Sequence, residues 1–441
     1  MPLVFLPDNT TPAPASSLTL DYSYAILWIV TTFHFKLIPS VTLDLFHHWR
    51  KHMIHRTAKE ALLRLASQFP VIGITGPRQS GKSTLAKATF PDKRYITFDD
   101  KTIRELAASN PSDFIAAFPA GAVIDEAQKV PEIFDALKMH IDSTGFMPGK
   151  FILTGSSQFR LKQNMTDSMA CRAAFLILLP FSVKELNDEE ILPDNPYDII
   201  FGGQYPPLYD PEKHFISEDW YESYIDTYLD LDVRDQINAE NLSTFRKFIQ
   251  ICAIHSGQLL SMDSIARDVG ISAPTVKKWL SILEASFIIH FLEPDTNNLG
   301  RSIVKTPKLY FIDSGLLCHL LRLDAKEELL LSRYKGAVVE TFAVAELLKH
   351  RMNLGKKPNL TFFRDSKGFE VDTIADWKHT FAIEIKSANA PEAKLSANTR
   401  KYLALRGDAD ARNAVFYLGD ISMNINGTSY VSWKDWGTFL S

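Results

Sequence analysis

One run of residues, Gly76-Pro77-Arg78-Gln79-Ser80-Gly81-Lys82-Ser83-Thr84, has the types and spacing of a loop that cradles phosphate. It fits GxxxxGK[ST]. Glycines let the backbone turn its N–H groups inward, a lysine reaches the β- and γ-phosphates, and a hydroxyl ligates Mg²⁺. Lys82 and Ser83 hold those places, so the expected ligands are ATP and Mg²⁺. A second run, Gly121-Ala122-Val123-Ile124-Asp125-Glu126, reads as a buried strand ending in two carboxylates. Asp125 would hold the Mg²⁺ through water, and Glu126 would polarise the attacking water as general base. Taken alone, such a pair also describes a helix cap or a surface turn. A third run, Lys150–Thr154 followed by Gly155-Ser156-Ser157, offers Thr154 or Ser156 as a group that senses the γ-phosphate. A Ser-rich helix start is the plainer reading of either.

A second constellation lies near the C-terminus. Phe369–Ile374 and Phe381–Lys386 both alternate as strands. Glu384 and Lys386 share one face of the second, and Asp372 shares a face with Glu370 on the first. Two carboxylates with a lysine beside them form a hard-oxygen site for Mg²⁺, as metal-dependent phosphodiester cleavage requires. In that reading Asp372 and Glu384 are the metal ligands and Lys386 orients or deprotonates the water. A helix spanning Gly336–His350 carries Glu340 as a third acid. The same letters also describe a strand with a solvated, charged face.

The elements around the loop agree with its reading. Val71–Thr75 is short, apolar and β-rich, as a buried parallel strand should be, and a helical pattern, Leu85–Phe90, follows the loop. Further along, Ser264–Ser272 reads as a helix with a glycine turn and Ala273–Glu284 as a second helix, with Ser272 as N-cap and Pro274 in the first turn. Phe287–Phe291 and Lys308–Ile312 would flank them as the strands of a wing, around a loop at Asn297-Asn298-Leu299-Gly300-Arg301. Lys277, Lys278, Thr275 and Ser281 would face DNA if the second helix reads it. However, Arg267, Lys277 and Lys278 are balanced by Asp263, Asp268 and Glu284, which is a poor footprint for a polyanion. A lid or interaction module is the competing reading.

With 441 residues the chain exceeds one ordinary core. It is 46% hydrophobic and 23% charged with a net charge of −4, a globular composition without a global pull toward nucleic acid. Three dispersed cysteines, Cys171, Cys252 and Cys318, form no CxxC pair, consistent with a cytoplasmic chain lacking a thiolate zinc site. The apolar run Tyr24–Phe33 falls short of the about 20 residues a bilayer span needs, and no Lys or Arg precedes it. Either Met53 is the natural start and residues 1–52 are not native, or residues 1–52 are a loosely attached extension. A membrane-anchoring helix is the competing reading, and no membrane association is expected.

The ordered series GPRQSGKST, YITFDD (Tyr95–Asp100), AVIDEAQ (Ala122–Gln128), ILTGSSQ (Ile152–Gln158) and CRAAFLILLPFS (Cys171–Ser182) resembles one AAA-type ATPase family of bacteria and archaea. Phe201–Pro206 and Tyr224–Leu229 also resemble its pattern, so the likeness covers about residues 53–441. That family pairs the ATPase with a C-terminal domain of restriction-nuclease type. The C-terminal residues resemble the PD-(D/E)xK core, with Asp372, Glu384 and Lys386 on its motif and Glu340 on its helix. The chain departs from the family at Cys171, where glycine is usual. It departs again in Asp230-Leu231-Asp232-Val233-Arg234, which leaves open which arginine near Arg234 has a role. By resemblance Arg172 is the arginine-finger candidate, completing the site of a neighbouring subunit in a homo-oligomer; a structural salt bridge is the alternative.

The expected organisation is α/β. An extension spans 1–52, a P-loop AAA-type ATPase domain 53–236, a helical, winged-helix-like segment 237–330, and a nuclease-like α/β domain 331–441. One functional reading is an Mg²⁺-dependent ATPase coupled to a nuclease-like domain that acts on or binds DNA. The other is an ATP-dependent regulatory module whose C-terminal domain is inert and binds a protein or nucleic-acid partner. A small-molecule kinase fits less well, because Glu126 favours water over an acceptor substrate.

Overall fold

The computed structural model describes residues 53–155, 169, 171–228, 233, 237, 241–296 and 303–440. Residues 1–52, Ser156, Arg234 and the loop 297–301 lie outside the described residues.

Helix α1 (Ala58–Ala66) buries Ala58, Ala61, Leu62 and Ala66. Strand β1 (Val71–Thr75) is buried throughout and leads through the glycine loop into α2 (Lys82–Thr89). There follow β2 (Arg94–Thr97), α3 (Lys101–Ser109), α4 (Pro111–Ala116), β3 (Ala122–Asp125), α5 (Glu132–Thr144), β4 (Phe151–Gly155) and β5 (Ala173–Ile177). The strands form an all-parallel sheet in the order β2-β3-β4-β1-β5. The three central strands, β3, β4 and β1, are short and buried along their length, as suits a parallel sheet covered on both faces. Because β4 lies between β1 and β3, the glycine loop, the acid pair and Thr154 meet at one carboxyl edge of the sheet. Ligands of open α/β sheets bind at such an edge.

Helix α6 (Val183–Asp188) opens on a reciprocal cap between Ser182 and Glu185. Next come α7 (Pro196–Gly202), α8 (Ser217–Tyr228), α9 (Leu242–Ile254), α10 (Met262–Val269) and α11 (Ala273–Ala285). Ser261 and Ser272 cap α10 and α11, which flank the turn at Gly270. Strands β6 (Ile289–Pro294) and β7 (Lys308–Phe311) pair antiparallel, and α12 (Ser314–Leu320) and α13 (Lys326–Leu331) follow. Gly203 closes α7 against α12: a Cβ there would lie 1.7 Å from the Tyr221 hydroxyl, so only glycine fits. Asp313 fastens the same junction. It accepts from Gln204 N at 2.9 Å, Tyr221 Oη at 2.6 Å and Leu316 N at 2.9 Å.

The remainder is α14 (Lys335–Asn353), β8 (Leu360–Arg364), β9 (Glu370–Asp376), β10 (Thr380–Lys386), α15 (Ala397–Arg406), β11 (Arg412–Tyr417), β12 (Met423–Ile425) and β13 (Thr428–Ser432). The second sheet runs β12-β13-β11-β10-β9-β8-β6-β7. The hairpin expected as the strands of a wing is continuous with the C-terminal sheet, joined where Glu293 pairs with Thr361 in parallel with β8. Among the described residues no helix is long and apolar enough to cross a membrane.

Candidate functional site

The loop that opens α2 is built around positions only glycine can hold. Gly76 has φ 151°, and a Cβ there would sit 2.0 Å from the Leu178 carbonyl oxygen. The Lys82 ammonium is buried and donates to the carbonyls of Gly76 at 3.0 Å and Pro77 at 2.6 Å. Ser83 Oγ donates to Asp125 Oδ1 at 2.7 Å, and Tyr95 Oη donates to Asp125 Oδ2 at 2.6 Å. Thr154 Oγ1 donates to Asp125 as well. Hydroxyls from α2, β2 and β4 thus converge on one carboxylate at the end of β3.

Glu126, the next residue, sits at φ 55°, a conformation uncommon outside glycine. Burial pushes its carboxyl above the usual range, with Lys82 opposing and Asp125 reinforcing the shift. Gln128 Nε2 donates to it. Ser80 Oγ is buried with no hydrogen-bond partner among the described residues. A buried lysine, a glycine-bent loop at a helix start, an orphaned hydroxyl and the Ser83–Asp125 pair form a set of groups that fits Mg²⁺ and a nucleoside triphosphate.

Two parts of this site were not foreseen. Arg56 braces the loop from outside: it donates to Ser80 O at 2.7 Å, to Leu179 O at 2.7 Å and to Glu185 Oε1 at 3.0 Å. Burial alone would raise the Glu185 carboxyl, but Arg56 and donors from Ser182 and Thr57 hold it below its ordinary value. The second part is the rest of the cavity lining. The cavity over the loop, about 640 Å³, is lined by Lys82, Ser83 and Glu126 and also by Lys213, Phe215 and Tyr224. The aromatic content of Phe215–Tyr228 was the available signal, though nothing in its spacing marks it as a ligand wall.

Arg172 lies elsewhere. It precedes β5, and its carbonyl accepts from Val71 N at the start of β1. The full length of β1, about 17 Å at 3.3 Å per residue, separates that level from the loop. Its guanidinium is bidentate on Asp142, at 2.6 Å and 3.1 Å.

At the second constellation, Lys386 Nζ is 2.7 Å from Glu384 Oε1 and 3.8 Å from Asp372 Oδ2. Asp372 Oδ2 also accepts from Ile385 N at 2.8 Å. Every residue of β10 except Lys386 is buried, which does not fit the solvated-face alternative. Burial and Asp372 raise the Glu384 carboxyl to about 7, with Lys386 opposing. Glu384 Oε2 is buried with no hydrogen-bond partner among the described residues. Glu340, on α14, is turned toward β7: its Oε1 accepts from Lys308 Nζ at 2.9 Å and from Tyr310 Oη. Lys308 also pairs with Glu370 at 2.5 Å, and Glu370 pairs with Arg364 at 3.0 Å. Lys308 and Tyr310 went unrecognised because they lie in an otherwise apolar strand. Among the described residues no three His, Cys, Asp or Glu side chains converge as metal ligands.

Helix α14 touches both sites. Glu340 lies in its first half, while Asn353 at its end donates to Thr57 Oγ1 at 2.9 Å and Glu185 Oε1 at 3.4 Å, beside the Arg56 brace. Between them Glu346 accepts from Val183 N at 2.8 Å, Gln204 Nε2 at 2.7 Å and Lys349 Nζ at 3.0 Å. On α11, Lys277 and Lys278 are exposed, and Ser281 Oγ is turned back onto the Lys278 carbonyl at 2.7 Å.

Comparison with known proteins agrees with the first site. Residues 68–187 match the AAA domain family, residues 194–327 a Domain of unknown function (DUF8612), and residues 335–436 a Domain of unknown function (DUF4143). The chain is similar to uncharacterized proteins of Mycobacterium bovis and Mycobacterium tuberculosis, each 27% identical over 367 residues, or 83% of this chain and 80% of the relative. Among solved structures it is similar to a Walker-type ATPase of Pyrococcus abyssi, at TM-score 0.41 and 16% identity, over 62% of this chain and 97% of that one. It is also similar to the Thermotoga maritima RuvB Holliday junction branch migration motor, at TM-score 0.25 and 17% identity, over 53% of this chain and 88% of that one. The chain carries an AAA-type P-loop ATPase domain that binds nucleotide.

Proposed function

We propose that this protein is an Mg²⁺-dependent ATP hydrolase. The observation that carries the reading is the 2.7 Å contact between Ser83 and Asp125, with Lys82 and Glu126 lining the same cavity. On binding, Lys82 leaves the Gly76 and Pro77 carbonyls for the β- and γ-phosphates. Amides of the loop between Arg78 and Thr84 would take the remaining phosphate oxygens. Mg²⁺, held by Ser83 and through water by Asp125, would neutralise charge on the phosphates. Glu126, steadied by Gln128 and made more basic by burial, accepts a proton from the attacking water. Thr154, bonded to Asp125 at the end of β4, is the γ-phosphate sensor in this reading. Lys82→Ala should abolish ATP turnover, measured as phosphate release; undiminished release in a folded variant would overturn it.

Arg172 as a finger for a neighbouring subunit requires a homo-oligomer. Its bidentate hold on Asp142 supports the structural alternative instead. The segment 237–330 as a winged-helix-like module and 331–441 as a nuclease-like domain belong to the same proposal. The crossover from β10 through α15 to the parallel β11 supports the latter. Of the two C-terminal readings, the ion pairing of every carboxylate in the cluster favours a domain that binds DNA or a protein partner without cleaving. Mg²⁺-dependent plasmid nicking that Glu384→Ala abolishes would reverse that choice.

A further inference from the structure

The carboxylate cluster contains its own cations. Glu340, Glu370, Asp372 and Glu384 are answered by Lys308, Arg364 and Lys386 at distances of 2.5 to 3.8 Å. Lys386 and Arg364 are partly exposed, but the Lys308 side chain is only 2% exposed. Its ammonium lies between an acid from α14 and an acid from β9. A buried ammonium survives only where carboxylates repay its lost hydration, and buried carboxylates likewise need a cation. A divalent ion would ask for something different: several oxygens aimed at one point, about 2.0–2.6 Å away. Here Lys308 and Tyr310 turn Glu340 toward β7, and Asp372 spends an oxygen on the Ile385 amide.

The source of the lysine matters as much as its position. Lys308 stands on β7, in the segment 194–327, whereas the four acids follow residue 335. One matched segment therefore inserts a charge into the site of another.

Building on the nuclease-like reading of these acids, we propose that Lys308 occupies the cluster as a tethered cation in place of a divalent metal ion, closing the C-terminal site to metal in the full chain. Withdrawing the ammonium leaves Glu340 without its cation and Glu370 with Arg364 alone, beside Asp372 and Glu384, which adds the negative charge a divalent ion seeks.

The test uses the full chain without nucleotide and counts bound Mn²⁺ by electron paramagnetic resonance. Wild type and Asp372→Asn should bind the same number of ions, since no metal depends on Asp372 while Lys308 is in place. Lys308→Gln, which keeps a donor for Glu340 but no charge, should bind one more ion per chain. The double variant Lys308→Gln/Asp372→Asn should lose it. Should Lys308→Gln not fold by circular dichroism, the comparison of wild type with Asp372→Asn and Glu384→Gln decides. Wild-type Mn²⁺ binding that either variant abolishes overturns the tethered-cation proposal and leaves the nuclease-like reading standing. A folded Lys308→Gln chain with no added ion overturns both. Neither outcome touches the ATPase reading, which Lys82→Ala tests separately.

Discussion

Glu384 combines a buried carboxyl, one oxygen on Lys386 and a second oxygen with no partner among the described residues. Its titration is displaced from 4.5 to about 7, chiefly by burial and by Asp372. Between those two values the folded chain holds a proton that the unfolded chain has released. Stability contributed by this group is thus full below the unfolded value and is lost as pH rises through the folded one. Glu384→Gln removes the titration. Its melting temperature should gain on wild type as pH is raised from about 5 to about 8. A gap that stays constant over that range would contradict the assignment. The sequence identifies Glu384 by its ExK spacing, but spacing is silent about burial, and burial sets the behaviour of this residue.

At the level of elements, the phosphate loop was legible because its parts are contiguous: an apolar strand, a glycine loop and a helix start. The acid pair of β3 was legible for the same reason. The brace behind the loop was not, since Arg56 reaches Ser80 across 24 positions and Glu185 across 129, and only the folded chain brings them together. Arg56 precedes α1, Ser80 precedes α2 and Glu185 lies in α6, so one guanidinium fixes the mutual position of three elements. Arg56→Ala leaves Glu185 as a buried charge without its cation, at a cost of about 3–5 kcal/mol. Urea denaturation should show this as a lowered midpoint with unchanged slope, and a loss below about 1 kcal/mol would be inconsistent with the brace.

At the scale of the whole molecule, the three matched segments do not correspond to three independent bodies. The nucleotide cavity draws its lining from both 68–187 and 194–327, and the second sheet runs across position 330. A reading that divides the chain by local pattern cannot register this, because Lys213, Phe215 and Tyr224 carry no signal until they face the loop. Unfolding should follow one cooperative transition monitored by fluorescence and by circular dichroism. ATP at about 100 times its Kd should raise stability by about 2.7 kcal/mol, and Lys82→Ala should erase that gain. Separate transitions, only one of them moved by ATP, would show that the segments melt apart. Helix α14 gives the continuity a mechanical meaning. It is a beam of about 20 Å between Asn353, at the brace, and Glu340, at the lysine of β7. A pivot of about 5° at the Asn353 end sweeps Glu340 through roughly 2 Å, more than a hydrogen bond survives. A small tilt at the phosphate loop would thus reach Lys308 as a contact made or broken, with little middle ground.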